Sequence, residues 1–449
     1  MSGTFAGMRV VVIGAGVAGV AAARALVEEG ADVSVSETRP AELVERHQEF
    51  RALGVPVAAG GHEASHLEGA TLVVTSPGVR QDAPILRCAS ELGIPIWGEL
   101  ELGARLCAVP FLAVTGTNGK TTTTGMIASC LRAGGLEAVA CGNIGLPFAE
   151  AAREGHEALV VESSSFQLRF VESFHPRVSV MLNLSPDHLD WHGSVEAYED
   201  AKANIFRQQT SDDIHVGNRD DQRSAAVSGR APGRLVWFGL DEPGDGEVGY
   251  RDGELVTRLD GASTLGPVDG ERAGYRADAA AAAAASLAFG VTAEAVRSGL
   301  ASYTPAQHRG EVVALVDGVR FIDNSKATNV HAALAAIDGL SETVLIAGGR
   351  AKGVDLRPLA TRIDHLRAVV AIGESADAII EMFDGSVPVR RAGSIEEATG
   401  MAFHLARQPG SVLLAPACAS WDMFEDYEER GDRFSAAARA LMEDVATRG

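Results

Sequence analysis

No uninterrupted apolar run in this 449-residue chain reaches the ~18 residues that a membrane span requires, so no transmembrane segment is expected. Cysteine pairs are missing as well. The five cysteines (Cys88, Cys107, Cys130, Cys141 and Cys418) are odd in number, irregularly spaced and form no CxxC, so neither a disulfide framework nor a zinc site is indicated. There is no surplus of positive charge: a formal net charge of −21 argues against a nucleic-acid partner, because phosphate backbones are bound by excess Lys and Arg. Anionic substrates would therefore need local basic residues or metal ions. The first residues, Met1 to Met8, carry neither the basic nor the apolar stretch of a secretory signal, and Val10–Ile13 is too short to supply one. The cytoplasm is the expected location.

The chain is too long for one ordinary hydrophobic core, and at roughly 100–200 residues per domain it suggests three domains. The pattern is that of an α/β protein. Arg9–Ile13 reads as a strand, Gly14 to Gly19 as a turn and Val20–Glu29 as a helix, followed by strands at Asp32–Ser36 and Leu72–Thr75 and closure near Ile94–Glu99. This is the signature of a Rossmann-like domain over 1–98. A second strand-loop-helix starts at Phe111–Val114, with strands recurring at Ala158–Val161 and Val178–Leu184, as in a parallel sheet with crossover helices. From Asp241 to Gly274 short β-prone pieces alternate with Asp-Gly pairs at Asp245, Asp252, Asp260 and Asp269, which predicts a small antiparallel flap on a central domain spanning 99–304. Ala279–Ala285, seven consecutive alanines, predicts a closely packed helix. The pattern breaks around Ser302–Gln307. A third, Rossmann-like segment over 305–449 has strands at Val312–Val316, Val319–Ile322, Thr343–Ala347, Ala368–Ile372 and Ser411–Ala415.

Gly14-Ala15-Gly16-Val17-Ala18-Gly19 fits the GxGxxG fingerprint, in which glycines bring backbone close to a pyrophosphate, and Glu37 ends the second strand where an acid would meet a ribose. The motif alone leaves NAD, another nucleotide or nucleotide sugar, and simple packing all open. Gly116-Thr117-Asn118-Gly119-Lys120-Thr121 is more specific. A Gly-Lys-Thr between an apolar strand and a helix offers backbone donors, an ammonium and a hydroxyl to phosphate and Mg²⁺, although only two residues separate Gly116 from Gly119 where the standard P-loop has four. Glu162, at the end of the Leu159–Val161 run, and Asp187, His188, Asp190 and His192 after the next strand offer metal ligands at strand ends, Glu162 and His188 foremost. Lys202 lies on a helical stretch and, from its chemistry alone, reads as a surface lysine. His308-Arg309, the run from Asp323 to Asn329, and Lys352 beyond Gly348-Gly349 put further charge at strand ends, where open α/β sheets bind ligands.

Thr115-Gly116-Thr117-Asn118-Gly119-Lys120-Thr121, Gly142-Asn143-Ile144-Gly145, Glu162 through Leu168, Asn183 through Asp187-His188, and His308-Arg309 together resemble the ATP-dependent Mur ligases. Ser325-Lys326-Ala327-Thr328-Asn329 and Pro416-Ala417-Cys418-Ala419-Ser420 resemble the D-glutamate-adding branch of that family, and the match runs in order over essentially the whole chain. The resemblance implies a cytoplasmic, monomeric enzyme with UDP-N-acetylmuramoyl-L-alanine and D-glutamate as substrates, ATP and two Mg²⁺ ions as cofactors, and an acyl-phosphate route to the amide. It implies that Glu37, Thr38 and Arg39 meet the uridine diphosphate, with Gly14 to Gly19, Ser76 and Asn143 near the rest of the UDP-sugar. Lys120 would hold the ATP phosphates and Thr121 one Mg²⁺, while Glu162 and His188 hold the second and a carbamylated Lys202 helps to position it. Arg309 and Asp323 or Asn324 would line the nucleotide. Lys326, Thr328, Lys352, Ser420 and Tyr427 would receive D-glutamate. Two departures stand out: Gly274-Tyr275-Arg276-Ala277-Asp278 where the family has His-Asn and a second Asn, and Asp323-Asn324 where relatives often have Asp directly before Ser-Lys-Ala-Thr-Asn. Neighbouring strand residues face opposite ways, so Asp323 is not an automatic replacement for an acid at 324.

Overall fold

A computed structural model describes residues 3–44, 46–259, 261–268, 273–304, 307–338 and 340–448. Its strands build three sheets. The first holds β1 (Arg9–Ile13), β2 (Asp32–Ser36), β3 (Val57–Ala58), β4 (Leu72–Thr75) and β5 (Ile96–Gly98) in the order 3-2-1-4-5, all parallel. Its strands are Val- and Ile-rich because helices cover both faces, and Val10 to Ile13 and Leu72 to Val74 are almost fully buried.

The second sheet contains β6 (Phe111–Thr115), β7 (Ala138–Gly142), β8 (Ala158–Glu162), β9 (Val178–Met181), β10 (Ile214–Asn218), β11 (Arg234–Phe238), β12 (Glu247–Arg251), β13 (Glu254–Thr257) and β14 (Ser263–Pro267), in the order 14-13-12-11-10-9-6-8-7. The expected flap is antiparallel, β12 with β13 and β13 with β14, but it is not a separate layer: β12 pairs in parallel with β11, so the flap continues the main sheet at its edge. The β12–β13 turn is the anticipated Asp-Gly pair, with Asp252 at φ 52° and Gly253 at φ 84°, both left-handed as a two-residue hairpin of this type demands. Asp260, the Asp269-Gly270 pair, and the residues Pro305 and Ala306 at the anticipated boundary lie outside the described residues. Helix Ala273–Phe289 buries all of Ala279 to Ala285, as the alanine run predicted; side chains this small let a helix pack closely.

The third sheet contains β15 (Glu311–Val316), β16 (Val319–Asp323), β17 (Thr343–Gly348), β18 (Leu366–Ile372), β19 (Val389–Arg391) and β20 (Gly410–Leu414), in the order 15-16-20-17-18-19. Only the β15–β16 pair is antiparallel. Three α/β sheets, mostly parallel, are the architecture the sequence pattern called for. By packing, the chain divides into two compact units: residues 1–184, 196–269 and 277–303 form one, carrying the first two sheets, and residues 185–195, 270–276 and 304–449 form the other.

Candidate active site

In the first unit the glycine turn after β1 is built by close approach. Gly14 has φ +98°, and a Cβ there would sit 2.8 Å from the Ser76 hydroxyl oxygen. That hydroxyl donates to the Gly14 carbonyl at 3.4 Å. Glu37, at the end of β2, is buried and accepts hydrogen bonds from the Ala15 amide (2.7 Å), the Arg39 amide (3.0 Å), the Arg39 guanidinium (3.2 Å) and the Thr38 hydroxyl (3.1 Å). Burial alone would raise its carboxyl, but Arg39 and the two backbone donors outweigh that and bring it down to about 2. Glu37 is thus an ionised brace for the glycine turn. Behind it the Ser36 hydroxyl contacts both His62 Nδ1 and His66 Nδ1 at 2.8 Å, a histidine pair that no spacing rule in the sequence singled out.

The Gly116–Thr121 loop follows the same logic of glycines at tight points. Gly116 (φ +156°) passes 2.9 Å, measured to an added Cβ, from Leu182, and Gly119 (φ +83°) leads into helix Lys120–Ala133, with Lys120 and Thr121 in its first turn. Asn183, just beyond β9, clamps the loop: its Oδ1 accepts from the Asn118 amide (2.8 Å), its Nδ2 donates to the Asn118 carbonyl (3.1 Å), and its own carbonyl accepts from the Thr117 amide (2.9 Å). The Thr117 hydroxyl lies 2.9 Å from Tyr198 Oη.

Strand pairing sets Glu162 opposite Val114, two residues before Gly116. Its Oε1 accepts from Asn143 Nδ2 at 2.8 Å, and the Asn143 amide bonds the Glu162 carbonyl at 2.9 Å. Its Oε2 is buried without a hydrogen-bond partner. A buried carboxylate oxygen lacking a donor is costly unless something satisfies it, and a divalent cation is what such a group fits. Lys202 corrects the sequence reading: it is not a surface lysine but 1% exposed, on helix Val195–Ala203. Its ammonium donates to the Gly116 carbonyl at 2.7 Å and to Thr115 Oγ1 at 3.3 Å, and lies 4.9 Å from the Tyr198 ring. Lys120 donates to the same Gly116 carbonyl at 2.9 Å and to that of Thr117 at 2.9 Å. Two ammonium groups thus share one acceptor beside the loop.

The second unit gathers the remaining candidates. Lys352, a non-glycine residue at φ 55°, pairs with Asp187 at 2.8 Å, both side chains being buried; Asn329 Nδ2 reaches the other Asp187 oxygen at 3.3 Å. His188, also left-handed at φ 53°, bonds through its amide to Asp187 Oδ1 at 2.9 Å. Lys326 stacks its ammonium 3.6 Å from the Tyr427 ring. The Ser325–Thr328 and Pro416–Ser420 loops meet where the Ala417 amide bonds the Ala327 carbonyl (2.9 Å) and where the buried Arg430 spans Ser325 Oγ (2.9 Å), the Ser325 carbonyl (2.8 Å) and the Cys418 carbonyl (3.2 Å). Ser420 is buried in the second of these loops and Thr328 half-buried in the first. At 323–324 the two side chains differ in surroundings: Asp323 is fully buried, its carboxylate taken by His308 Nδ1 (2.7 Å), the Ser325 amide (2.9 Å) and the Ser435 hydroxyl (3.0 Å), whereas Asn324 is half-buried. Asp323 therefore holds His308, the neighbour of the half-buried Arg309, and is buried away from solvent. Asp278, Arg430 and the His62–His66 pair are the residues that sequence reasoning missed or left unassigned; their partners are remote in the chain. A cavity of about 390 Å³ lined by Cys107, Phe111, His175, Arg177 and Asp213 lies at the opposite, N-terminal end of β6 and holds none of the candidates.

Three family models match in succession: Mur ligase MurD-like, N-terminal domain, over residues 8–98; Mur ligase middle domain over 114–261; and Mur ligase, glutamate ligase domain, over 308–418. The UDP-N-acetylmuramoylalanine--D-glutamate ligase of Frankia casuarinae is 45% identical, covering 97% of this chain and 95% of its own. That of Thermobifida fusca is 41% identical, covering 97% and 99%. Among solved structures, MurF ligase from Thermotoga maritima in complex with ADP (TM-score 0.63, 17% identity, 92% and 95% covered) and a pseudomurein peptide ligase type C from Methanothermus fervidus (0.61, 20%, 98% and 100%) share the fold. With full-length relatives at this identity, the chain belongs to the Mur ligase family.

Proposed function

We propose that this chain ligates D-glutamate to UDP-N-acetylmuramoyl-L-alanine at the expense of ATP, forming ADP and phosphate, in cytoplasmic peptidoglycan precursor synthesis. The observation that carries the reading is the pairing of a phosphate loop with a buried, donor-free Glu162 oxygen beside it, in a chain whose full-length relatives bear that ligase's name. The L-alanine carboxylate attacks the γ-phosphorus of ATP, ADP leaves, and an acyl phosphate forms. The D-glutamate amine then attacks the acyl carbon, and phosphate departs as the amide forms and the amine loses a proton. Such transfers need positioning and charge stabilisation more than covalent help.

Each group has a defined task in that sequence. Gly116 to Thr121 present backbone donors, and Lys120 moves from the Gly116 and Thr117 carbonyls onto the phosphates. Thr121, Glu162, His188 and Lys202 are the candidates to hold two Mg²⁺ ions, which when bound would neutralise phosphate charge. Carbamylation of Lys202 is supported by its burial and by its sharing of one carbonyl with Lys120: turning one ammonium into an anion removes a like-charge contact and adds a metal ligand. Glu37, Thr38 and Arg39 frame the uridine end, with Gly14, Ser76 and Asn143 along the UDP-sugar. Arg309 and Asn324 flank the nucleotide, with Asp323 positioning His308. Lys326, Thr328, Lys352, Ser420 and Tyr427 form the amino-acid pocket, its two loops tied together by Arg430. Mass spectrometry of a reaction with all three substrates tests the proposal: a product heavier than the UDP-substrate by one glutamyl residue, equimolar with ADP, is expected. ADP formed without that product would overturn it.

A further inference from the structure

Helix Lys120–Ala133 opens with the bare N-terminus that suits a phosphate-binding helix. Its N-cap is Gly119, which has no side chain to accept from the first-turn amides, and its first turn contains no acidic residue. An acid is nevertheless present, brought from a distant part of the chain. A Cβ placed on Gly119 would run into the Asp278 carboxylate, lying 2.9 Å from its Cγ and 3.2 Å from Oδ2, so this carboxylate rests directly against the Cα of Gly119. Gly119 is required twice over, by its φ of +83° and by that contact.

Asp278 is not a loose surface acid. It immediately precedes Ala279, the first of seven alanines that are all fully buried in helix Ala273–Phe289, and is itself half-buried. Its backbone is therefore anchored by the core of the unit while its carboxylate faces the loop. The positive end of a helix favours an anion, and in the free protein the carboxylate occupies that favourable field. A nucleotide polyphosphate entering the same loop meets a fixed negative charge only a few ångströms away. Two like charges at such a distance in a partly buried setting repel strongly unless a cation lies between them.

The geometry points to Asp278 as a specificity-determining residue of the nucleotide site: its carboxylate makes the loop discriminate against metal-free nucleotide, coupling nucleotide binding in this chain to a divalent cation. The inference rests on the reading of Gly116–Thr121 as the nucleotide loop and adds to it a residue from the 274–278 segment, which departs from the family pattern. Removing the charge raises affinity for metal-free nucleotide more than for the metal-bound form, because only the former presents its full negative charge to the carboxylate.

Isothermal titration of the full chain with ADP, once with excess Mg²⁺ and once with EDTA, tests this for the wild type and for Asp278→Asn, Asp278→Ala and Asp278→Glu. The ratio of the two affinities is expected to fall at least tenfold in Asp278→Asn and Asp278→Ala, mainly through tighter binding in EDTA, and to persist in Asp278→Glu, which keeps the charge. A ratio unchanged in both neutral variants, or an equal loss of affinity in both buffers, would overturn the inference while leaving the nucleotide loop standing. No ADP binding by the folded wild type in Mg²⁺ would overturn the loop assignment, and this inference with it.

Discussion

Replacing Asn183 with alanine isolates the contribution of loop pre-organisation. The side chain makes two hydrogen bonds to Asn118, one to its amide (2.8 Å) and one from Nδ2 to its carbonyl (3.1 Å), while the third clamp, from the Thr117 amide to the Asn183 carbonyl, is a backbone bond that survives the change. Each lost bond is worth ~1 kcal/mol net, so the clamp loses about 2 kcal/mol. Asn183 lies beyond the end of β9, and the strand ladder on either side of β6 is untouched by its side chain. The loss therefore falls on the loop, which must be re-ordered when nucleotide binds. At ~1.4 kcal/mol per decade, 2 kcal/mol corresponds to roughly a thirtyfold weaker ADP·Mg²⁺ affinity. Isothermal titration gives the affinity, and thermal unfolding without ligand gives the control, where only a small shift is expected. An affinity within threefold of wild type would refute the idea that the Asn183 clamp prepares the loop; an equal loss in unfolding free energy would show that it is a general stabiliser instead.

Glu162→Gln keeps the Asn143 contact but removes the charge behind the unpartnered oxygen, so the Mg²⁺ concentration giving half-maximal phosphate release should rise at least tenfold; an unchanged Mg²⁺ titration would contradict the assignment. Lys202→Gln should cut turnover a hundredfold or more with little change in ADP binding, and wild-type activity should fall in CO₂-stripped buffer and return with bicarbonate; indifference to CO₂ would remove the carbamate from the account. Glu99 is fully buried, and burial pushes its carboxyl up to about 7, against the amides of Ala149 and Phe148 that pull it down. A carboxyl raised in the folded state favours the protonated form there, so stability is lost as pH climbs from the ordinary carboxylate range through about 7. Glu99→Gln should consequently raise unfolding free energy at pH 8 by up to ~3 kcal/mol and leave it nearly unchanged at pH 4; equal effects at both pH values, read from urea unfolding, would contradict this.

How much of this was legible in the chain depended on range. The Phe111–Thr115 strand, the Gly116–Thr121 loop and the helix after it follow from local rules, since apolar runs, left-handed glycines and a Gly-Lys-Thr are contiguous signals. Asp252-Gly253 was equally readable as a hairpin turn. The burial of Lys202 was not, because its environment comes from Thr115, Gly116 and Tyr198, only the last of which is one helical turn away. For Asp323 the two-residue period of a strand warned correctly that adjacent residues diverge, but only the packing of His308 and Ser435 reveals which way the acid faces. Asp278 against Gly119 and the convergence of His62 and His66 on Ser36 join residues far apart in sequence and carry no periodic signal at all. β10 and β11 have no place in the sequence reading; they become strands by pairing alongside β9.

The most direct test of the central claim is phosphate release from ATP and Mg²⁺ with UDP-N-acetylmuramoyl-L-alanine, compared in the presence of D-glutamate, of L-glutamate and of no amino acid. Steady turnover that requires D-glutamate is the predicted result. Turnover equal with all three, or none with any, would contradict it.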